Sequence, residues 1–526
     1  MNITKDFMLE TMARAESFVH LREHLRLTLQ SSSSSSTSIS TTLKTIPDEQ
    51  YLVSSSRTFE VTDLFGTFLG SRARTIYVSI LSGYMYGALW AYSTVFAASF
   101  SANVPVFFLN NGNTCNIEEE GTQCLGPFFV WLGVFALLSI PLSCLELKEQ
   151  VYVQVTMFIA RLLVVLLMTG TALGGYACDG IVFADMSKDH KPDTPLFTFA
   201  GLSTVMPVSI YAFIFHHSVP ILSQPVKDKT SLPKVFRYAF IIVGTAYASL
   251  GLILAIWFGS HVDGQCNLNW RQYVGCVAPH SDGSPVTLND RTTGAMVVSF
   301  IILIFPALDV LSAYPLNAIT LGNNLLSAVH SNIEIGTMNH TTDEEHDHPS
   351  SSSSNKSWAN WFMSFRTMSV QARRRIMFRL IAAVPPVIAG ALSTFYGINL
   401  TQILSFTGLI GVAIAFGIPS FLRLWSFTRQ RAILTLLSDN IDTILENKKG
   451  SKDTIDEDTI NEEVDNAFNT KIPWKDVLQK TTDDKVIEKT PYTNIIMKLG
   501  RCDLLLFVFA IGIAIFVLIG LIMNGS

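Results

Sequence analysis

Long apolar runs alternate with short polar segments along most of the chain, and this pattern predicts a membrane protein. Nine of the runs are close to the roughly 20 residues that a helix needs to cross the hydrocarbon core of a bilayer. We therefore expect nine transmembrane helices. They cover residues 75–102, 126–145, 152–177, 197–221, 235–259, 295–321, 376–396, 400–424 and 502–523.

The sixth run carries the most unusual polar pattern. Pro306 and Pro315 each remove a backbone donor from a helix that must satisfy its own hydrogen bonds in lipid, and Asp309 lies between them. A charged Asp at the centre of a membrane helix costs about 2.5–3.5 kcal/mol, so such residues usually face a bundle interior or a wet cavity. Ser312, one turn later on the same face, could share a cation or a proton with it. The alternative is a protonated Asp309 bonded to a neighbouring backbone, with the prolines acting only as kinks.

The fourth run is similarly irregular. Ser203, Pro207 and Ser209 lie near its centre, and His216 and His217 lie near its cytosolic end. Helices interrupted by small residues and proline are tolerated at depth where their backbone lines a cavity, and half-helix ends present dipoles that suit a zwitterionic ligand such as an amino acid. The histidines are candidates for proton relay and ion coupling, or alternatively they lie at the interface and bond to loop carbonyls.

Composition agrees with a membrane protein and narrows the class of partner. Hydrophobic residues make up 49% of the 526 residues, charged residues make up 15%, and the mean hydropathy is +0.35. The formal net charge of -5 is small and is spread through the loops, so the sequence indicates no nucleic-acid partner.

Short basic flanks set the predicted orientation, because Lys and Arg concentrate on the cytosolic side. The basic residues are Arg72, Arg74, Lys148, those in 227–237, 373–375 and 423–431. Cys115, Cys124, Cys178, Cys266 and Cys276 then fall on the opposite, oxidising side. We expect one or two disulfides among these five, with the pairing left open.

The chain divides into four predicted parts. Residues 1–74 form a cytosolic segment with a Ser-rich linker and an amphipathic helix. Residues 75–425 form a core of eight helices with a disordered cytosolic loop at 327–370. Residues 426–499 form a charged cytosolic loop, and residues 500–526 form the last transmembrane helix. In the amphipathic helix, predicted to lie on the membrane surface, one face carries Phe59, Val61, Leu64, Phe65 and Phe68.

Five segments together resemble the amino acid/auxin permease family, and within it the sodium-coupled neutral amino acid transporters. These segments are FEVTDLFGTFLG, IYAFIFHHSVP, CNLNW, FPALDVLSAYPLNAITLGNNL and FTGLIGVAIAFGIPSFLRL. The resemblance covers residues 57–425 and, less clearly, 500–523. It implies an all-α polytopic fold built as a five-plus-five inverted repeat.

The resemblance also implies a site and a departure from the family. It makes Ser203, Ser209 and Phe213 candidates for substrate binding and Asp309 and Ser312 candidates for ion coupling. The family's first helix is unwound by a Gly-rich segment that has no counterpart here. We therefore expect a chain that lacks one or two N-terminal helices, through a gene model that begins too late or through real loss.

These observations lead to a hypothesis of secondary active transport of neutral amino acids, driven by sodium ions or protons through alternating access. The expected partners are an amino acid and the bilayer, with no cofactor and an open oligomeric state. Both the plasma membrane and the lysosomal or vacuolar membrane fit. The alternative is an amino-acid-binding membrane sensor without transport. An enzyme is not expected, because His216 and His217 lack a catalytic acid or metal set in the sequence.

Overall fold

The computed structural model describes most of the apolar part of the chain. The described residues are 2–31, 53, 60–106, 114–115, 117, 124–144, 151–178, 180–184, 199–223, 226–263, 265–280, 285–330, 370–430 and 505–515. The Ser-rich linker, Phe59 and most of the two predicted cytosolic loops, 327–370 and 426–499, lie outside these ranges.

Helices account for almost all of the described chain. They are α1 (Asn2–Ser31), α2 (Val61–Leu69), α3 (Ser71–Asn103), α4 (Leu125–Ser143), α5 (Val151–Ala177), α6 (Phe199–Phe213), α7 (Val219–Ser223), α8 (Leu232–Phe258), α9 (Thr293–His330), α10 (Val370–Phe395), α11 (Leu400–Val412) and α12 (Leu505–Ile515). Two short strands, β1 (Ile181–Phe183) and β2 (Tyr273–Val277), pair antiparallel.

Six helical segments among the described residues are long and apolar enough to cross a membrane. They are Leu125–Ser143, Val155–Gly175, Lys229–Phe258, Thr293–Leu326, Ala372–Phe395 and Leu400–Gln430. An all-α protein with several membrane spans is therefore confirmed. The count of nine spans and the inverted-repeat permease fold stay predictions.

The chain forms two compact units. The first unit contains residues 1–80, 202–243 and 408–526, and the second contains residues 81–201 and 244–407. Several helices contribute to both units, so neither unit is a continuous stretch of sequence.

In the second unit, α9 packs against α4, α5 and α10. The helix α10 contains Pro385, which has no N–H to donate to the carbonyl of Ile381. The hydroxyl of Tyr86 donates to that carbonyl at 2.8 Å instead, which satisfies an acceptor that lipid would leave bare. Tyr86 therefore joins α3 to α10.

The predicted non-cytosolic side of this unit carries the small sheet and both disulfides. Cys115 pairs with Cys124, and Cys178 pairs with Cys276, with Cα–Cα distances of 5.6 and 5.9 Å. Cys266 is a free thiol. The expectation of one or two disulfides among the five cysteines is confirmed and the pairing is now resolved, while their side of the membrane stays a prediction.

The CNLNW segment is anchored to two helices of the second unit. Trp270 is fully buried, and its indole N–H donates to the hydroxyl of Thr171 on α5 at 2.9 Å. Ser299 on α9 donates to the carbonyl of Trp270 at 2.7 Å, and the amide of Asn267 donates to the carbonyl of Leu303 at 3.3 Å. The loop therefore ties the predicted outer ends of α5 and α9 together.

The first unit is organised around α1, a polar helix that is nevertheless buried. Eight of its polar or charged residues are at most 3% exposed, namely Thr4, Lys5, Asp6, Glu10, Thr11, Arg14, Glu16 and Ser17. Buried charges persist only where they are paired, so the partners of this helix decide whether the unit is stable.

The predicted amphipathic helix begins at Val61 and ends at Leu69, where Gly70 adopts a φ of +88° that favours glycine. Its apolar face is buried by protein. Phe68 packs edge to face on Phe18 of α1 at 5.9 Å, and Phe65 stacks on Tyr77 at 4.6 Å. The aromatic face therefore has a partner inside the first unit, and the position on the membrane surface stays a prediction.

Candidate functional site

Asp309 lies about half way along the apolar segment Thr293–Leu326 and forms an ion pair with Arg161 of α5. The guanidinium donates from Nε to Oδ2 at 3.2 Å and from one terminal nitrogen to Oδ1 at 2.5 Å. Both carboxylate oxygens are therefore engaged in a fork, the strongest arrangement for this pair of side chains.

The position of Arg161 follows from helix periodicity. Val164 and Met168 lie three and seven residues further along α5, are buried, and share a face with Arg161. In the sequence, Arg161 is the only Asp, Glu, Lys or Arg in 151–177 and Asp309 is the only one in 293–330. The isolated acid on α9 is therefore the partner of the isolated base on α5.

The polar surroundings of the pair come from three helices. Tyr92 on α3 and Tyr247 on α8 lie close enough to Arg161 to interact with it electrostatically. Ser312 donates its hydroxyl to the backbone carbonyl of Asp309 at 2.8 Å. Ser312 thus lies one turn from Asp309 and contacts its backbone, and the shared cation or proton stays a prediction.

The pair is only partly enclosed by protein. The side chain of Asp309 is 21% exposed and that of Arg161 is 46% exposed. Neither side chain is fully enclosed by protein, so the pair is not sealed from other partners such as a proton or an anionic group.

The remaining predicted residues lie on α6 and just after it, in the first unit. Ser209 is half-buried, and the ring of Phe213 lies 5.1 Å from that of Phe240. The side chain of Ser203 lies outside the described part of α6. His216 is buried and its Nε2 shares a hydrogen bond of 2.8 Å with the hydroxyl of Thr4 on α1.

Helical geometry breaks close to these residues. The α-helix α6 ends at Phe213, and a 3₁₀ turn follows at His216–Ser218. Further along the chain, a π-helical segment, Ala413–Gly417, interrupts the helix that runs from Leu400 to Gln430. Such interruptions free backbone groups and occur frequently at functional sites.

A second charged cluster was not predicted from the sequence. Glu10 accepts from Arg14 at 2.8 Å and from Arg423 at 2.7 Å, and Arg14 also donates to Gln430 at 2.9 Å. Burial by itself would raise the pKa of the Glu10 carboxyl, but the two guanidinium groups more than offset burial and lower it. The Glu10–Arg14 spacing of four residues was the only signal for this cluster in the sequence.

Six long apolar helical segments, two of them joined by an ion pair, define the class: this is an integral membrane protein that crosses the bilayer several times. Proteins named Transmembrane protein 104 are similar to it. The homologue from Dictyostelium discoideum is 25% identical over 285 residues, 54% of this chain and 52% of that protein. The Homo sapiens protein is 22% identical over 386 residues, 70% of this chain and 65% of that protein. The Drosophila melanogaster homologue is 23% identical over 384 residues, which are 70% of this chain and 64% of that protein.

The chain thus spans about half to two thirds of the length of the curated relatives that it matches. No family model matches the chain. The predicted resemblance to the amino acid/auxin permeases is therefore wrong, since the relatives carry another name and no permease family matches. The misleading segments combine proline, small residues and an acid within apolar helices, a pattern that any membrane protein with a polar interior requires.

Proposed function

We propose that this protein is a secondary active transporter that moves neutral amino acids across a membrane, coupled to a proton or sodium gradient. The observation that carries the proposal is the Arg161–Asp309 pair, held between two apolar helices. Ionisable residues at membrane depth are costly, and they are by default candidates for a solute or ion pathway.

The chemistry of the pair suits a zwitterion. An amino acid carries one carboxylate and one ammonium group, and the pair offers one site of each opposite charge. The partial exposure of both side chains supports access to the pair, whereas a pair that only held two helices together would be better enclosed.

Irregular helices support the same proposal. Discontinuous helices supply transporters with free backbone carbonyls, amides and helix ends near the bilayer midplane. Here α6 stops at Phe213, the segment Ala413–Gly417 is π-helical, and α6, α9 and α10 contain prolines that cannot donate a backbone hydrogen bond.

The experiment is uptake into proteoliposomes that contain the purified full chain. Labelled neutral amino acids are offered outside, with an inward gradient of either protons or sodium ions. We expect accumulation above the external concentration in one gradient, and loss of most of it in Asp309→Asn. Asp228→Asn, an exposed carboxylate in a loop, is the matched control and should accumulate substrate like the wild type.

Accumulation of none of the amino acids in either gradient would contradict the proposal. Saturable binding of an amino acid to the purified protein without any flux would also contradict transport and would favour the sensor hypothesis.

A further inference from the structure

We infer that the Arg161–Asp309 pair is an exchange site: Asp309 takes up the coupling proton, and Arg161, once released, binds the carboxylate of the substrate. The inference rests on the proposed transport function. It assigns the coupling ion and adds Arg161 as a substrate-binding residue.

The fork geometry argues for a proton as the coupling ion. Both oxygens of Asp309 already accept from Arg161, at 3.2 and 2.5 Å. A sodium ion at this carboxylate would have to displace the guanidinium from its oxygens while staying next to its positive charge, which repels it. A proton instead forms an O–H bond on one oxygen and removes the negative charge, so the guanidinium loses its ionic partner without gaining a neighbouring cation.

The released guanidinium then presents a site with a defined chemistry. Its planar fork matches a carboxylate in two parallel hydrogen bonds, and the Asp309 side chain occupies that fork in the structure. A substrate carboxylate is the same chemical group as the one that leaves. The substrate is therefore a solute with a free carboxylate, and an amide or ester of it lacks the group that Arg161 binds.

Few other ionisable groups lie near the pair among the described residues. Tyr92 on α3 and Tyr247 on α8 lie near Arg161, and both are phenols rather than carboxylates. Tyr314 on α9 itself donates to the carbonyl of Ala383 on α10. The helix α4 has no ionisable side chain in its sequence, and Arg379 of α10 lies against Gly322, which is 13 residues and about 20 Å along α9 from Asp309.

The cycle balances in protons and charge. One proton from the outer water binds Asp309, and one zwitterionic substrate binds the freed Arg161. On the other side the substrate leaves, the proton passes to water, and the pair re-forms. Each turnover therefore moves one proton and one positive charge inward with each neutral amino acid.

The test uses proteoliposomes without sodium, an outside-acid pH gradient, labelled L-alanine, L-leucine and L-glutamine, and the unlabelled amino acid or its amide as competitor. We expect uptake that follows the pH gradient, is accompanied by inward current, and is inhibited by the amino acid but not by its amide. Arg161→Lys keeps the charge but not the fork, and loss of one charge-assisted hydrogen bond should raise KM roughly tenfold. Arg373→Gln, which removes an exposed cation elsewhere, is the control.

A charge-swapped variant separates exchange from simple adhesion between helices. Arg161→Asp combined with Asp309→Arg restores an ion pair, so it should recover thermal stability in detergent while uptake stays lost. Recovery of both would show that the pair only holds α5 to α9 and would overturn the inference.

Two further outcomes separate this inference from the proposed function. Uptake that is absent in the pH gradient and appears only when an inward sodium gradient replaces it, or equal inhibition by the amide, would overturn the exchange site and leave transport standing. Absence of uptake of every amino acid tested, in either gradient, would overturn both.

Discussion

At the scale of the residue, the charge pair explains how an acid can persist inside a membrane helix. Asp309 alone would be costly at this depth, and its predicted remedies were a shared cation, a wet cavity or a bound proton. The structure supplies a guanidinium on another helix instead. Asp309 was predictable because its carboxylate interrupts an apolar run, whereas its partner required knowing that Arg161 faces inward, which depends on how α5 packs.

Single and double neutralisation of the pair should give different stabilities. Asp309→Asn or Arg161→Gln alone leaves one unpaired charge, and we expect a loss of about 1–3 kcal/mol, less than for a sealed pair because both side chains are partly exposed. The double variant removes both charges and should recover part of this loss. Thermal unfolding in detergent measures the coupling in a double-mutant cycle; strictly additive losses would show that the two side chains do not interact.

At the scale of the element, the burial of α1 depends on charge compensation. Glu10 joins α1 to Arg423 in the first unit, and the arginines offset the unfavourable burial of its carboxylate. A helix with this polarity showed no sign of burial in the sequence, because Arg423 and Gln430, the partners of Glu10 and Arg14, lie more than 400 residues further along the chain.

Glu10→Gln should destabilise the protein and remove part of its acid sensitivity. The pKa of Glu10 is lower in the folded state than in the unfolded chain, so its contribution to stability is present above the unfolded value and is lost as pH falls through the folded value. The difference in melting temperature between neutral and acidic pH should therefore be smaller in the variant than in the wild type. Glu23→Gln, at an exposed acid on the same helix, should change both curves less than Glu10→Gln does; an unchanged acid dependence in Glu10→Gln would contradict the assignment.

Close packing between α6 and the segment Leu400–Gln430 gives a second prediction at this scale. A Cβ added to Gly408 would overlap the backbone carbonyl of Pro207, whereas one added to Gly417 would meet open space. Gly408→Ala should therefore destabilise the protein by about 1–3 kcal/mol, and Gly417→Ala should be nearly neutral. Thermal unfolding of the two variants in detergent checks this, and equal melting temperatures would argue against the contact.

The helices themselves were largely predictable, because apolar runs of about 20 residues have few alternatives to a spanning helix. Their irregular points were less so. Pro207 and Pro306 signalled disturbance, yet the break after Phe213 and the π segment Ala413–Gly417 depend on packing that no local pattern encodes. The same limit applies to the site: the sequence placed Ser203, Ser209, Phe213 and His216 with Asp309 and Ser312, and these two groups belong to different compact units.

At the scale of the whole molecule, the disulfides test the predicted orientation. Peptide mapping under non-reducing conditions should recover the Cys115–Cys124 and Cys178–Cys276 bridges, with Cys266 alkylated faster after unfolding because its thiol is partly buried and burial raises its pKa. Cys178→Ser with Cys276→Ser should lower stability by up to about 4–5 kcal/mol, since the bridge closes a loop of 98 residues. Rapid alkylation of all four disulfide cysteines in the native protein would contradict their predicted location on an oxidising side of the membrane.

The Cys178–Cys276 bridge also limits how the second unit can move. It joins the end of α5 to β2, and the amide of Thr292, immediately before α9, donates to the carbonyl of Val274 on β2 at 3.3 Å. Because α5 and α9 are joined at one end, they can separate only at the opposite end. If tilting of α5 against α9 separates Arg161 from Asp309, the distance between the two helices should increase most at their cytosolic ends. Spin labels at those ends should report a larger change in distance than spin labels near the disulfide.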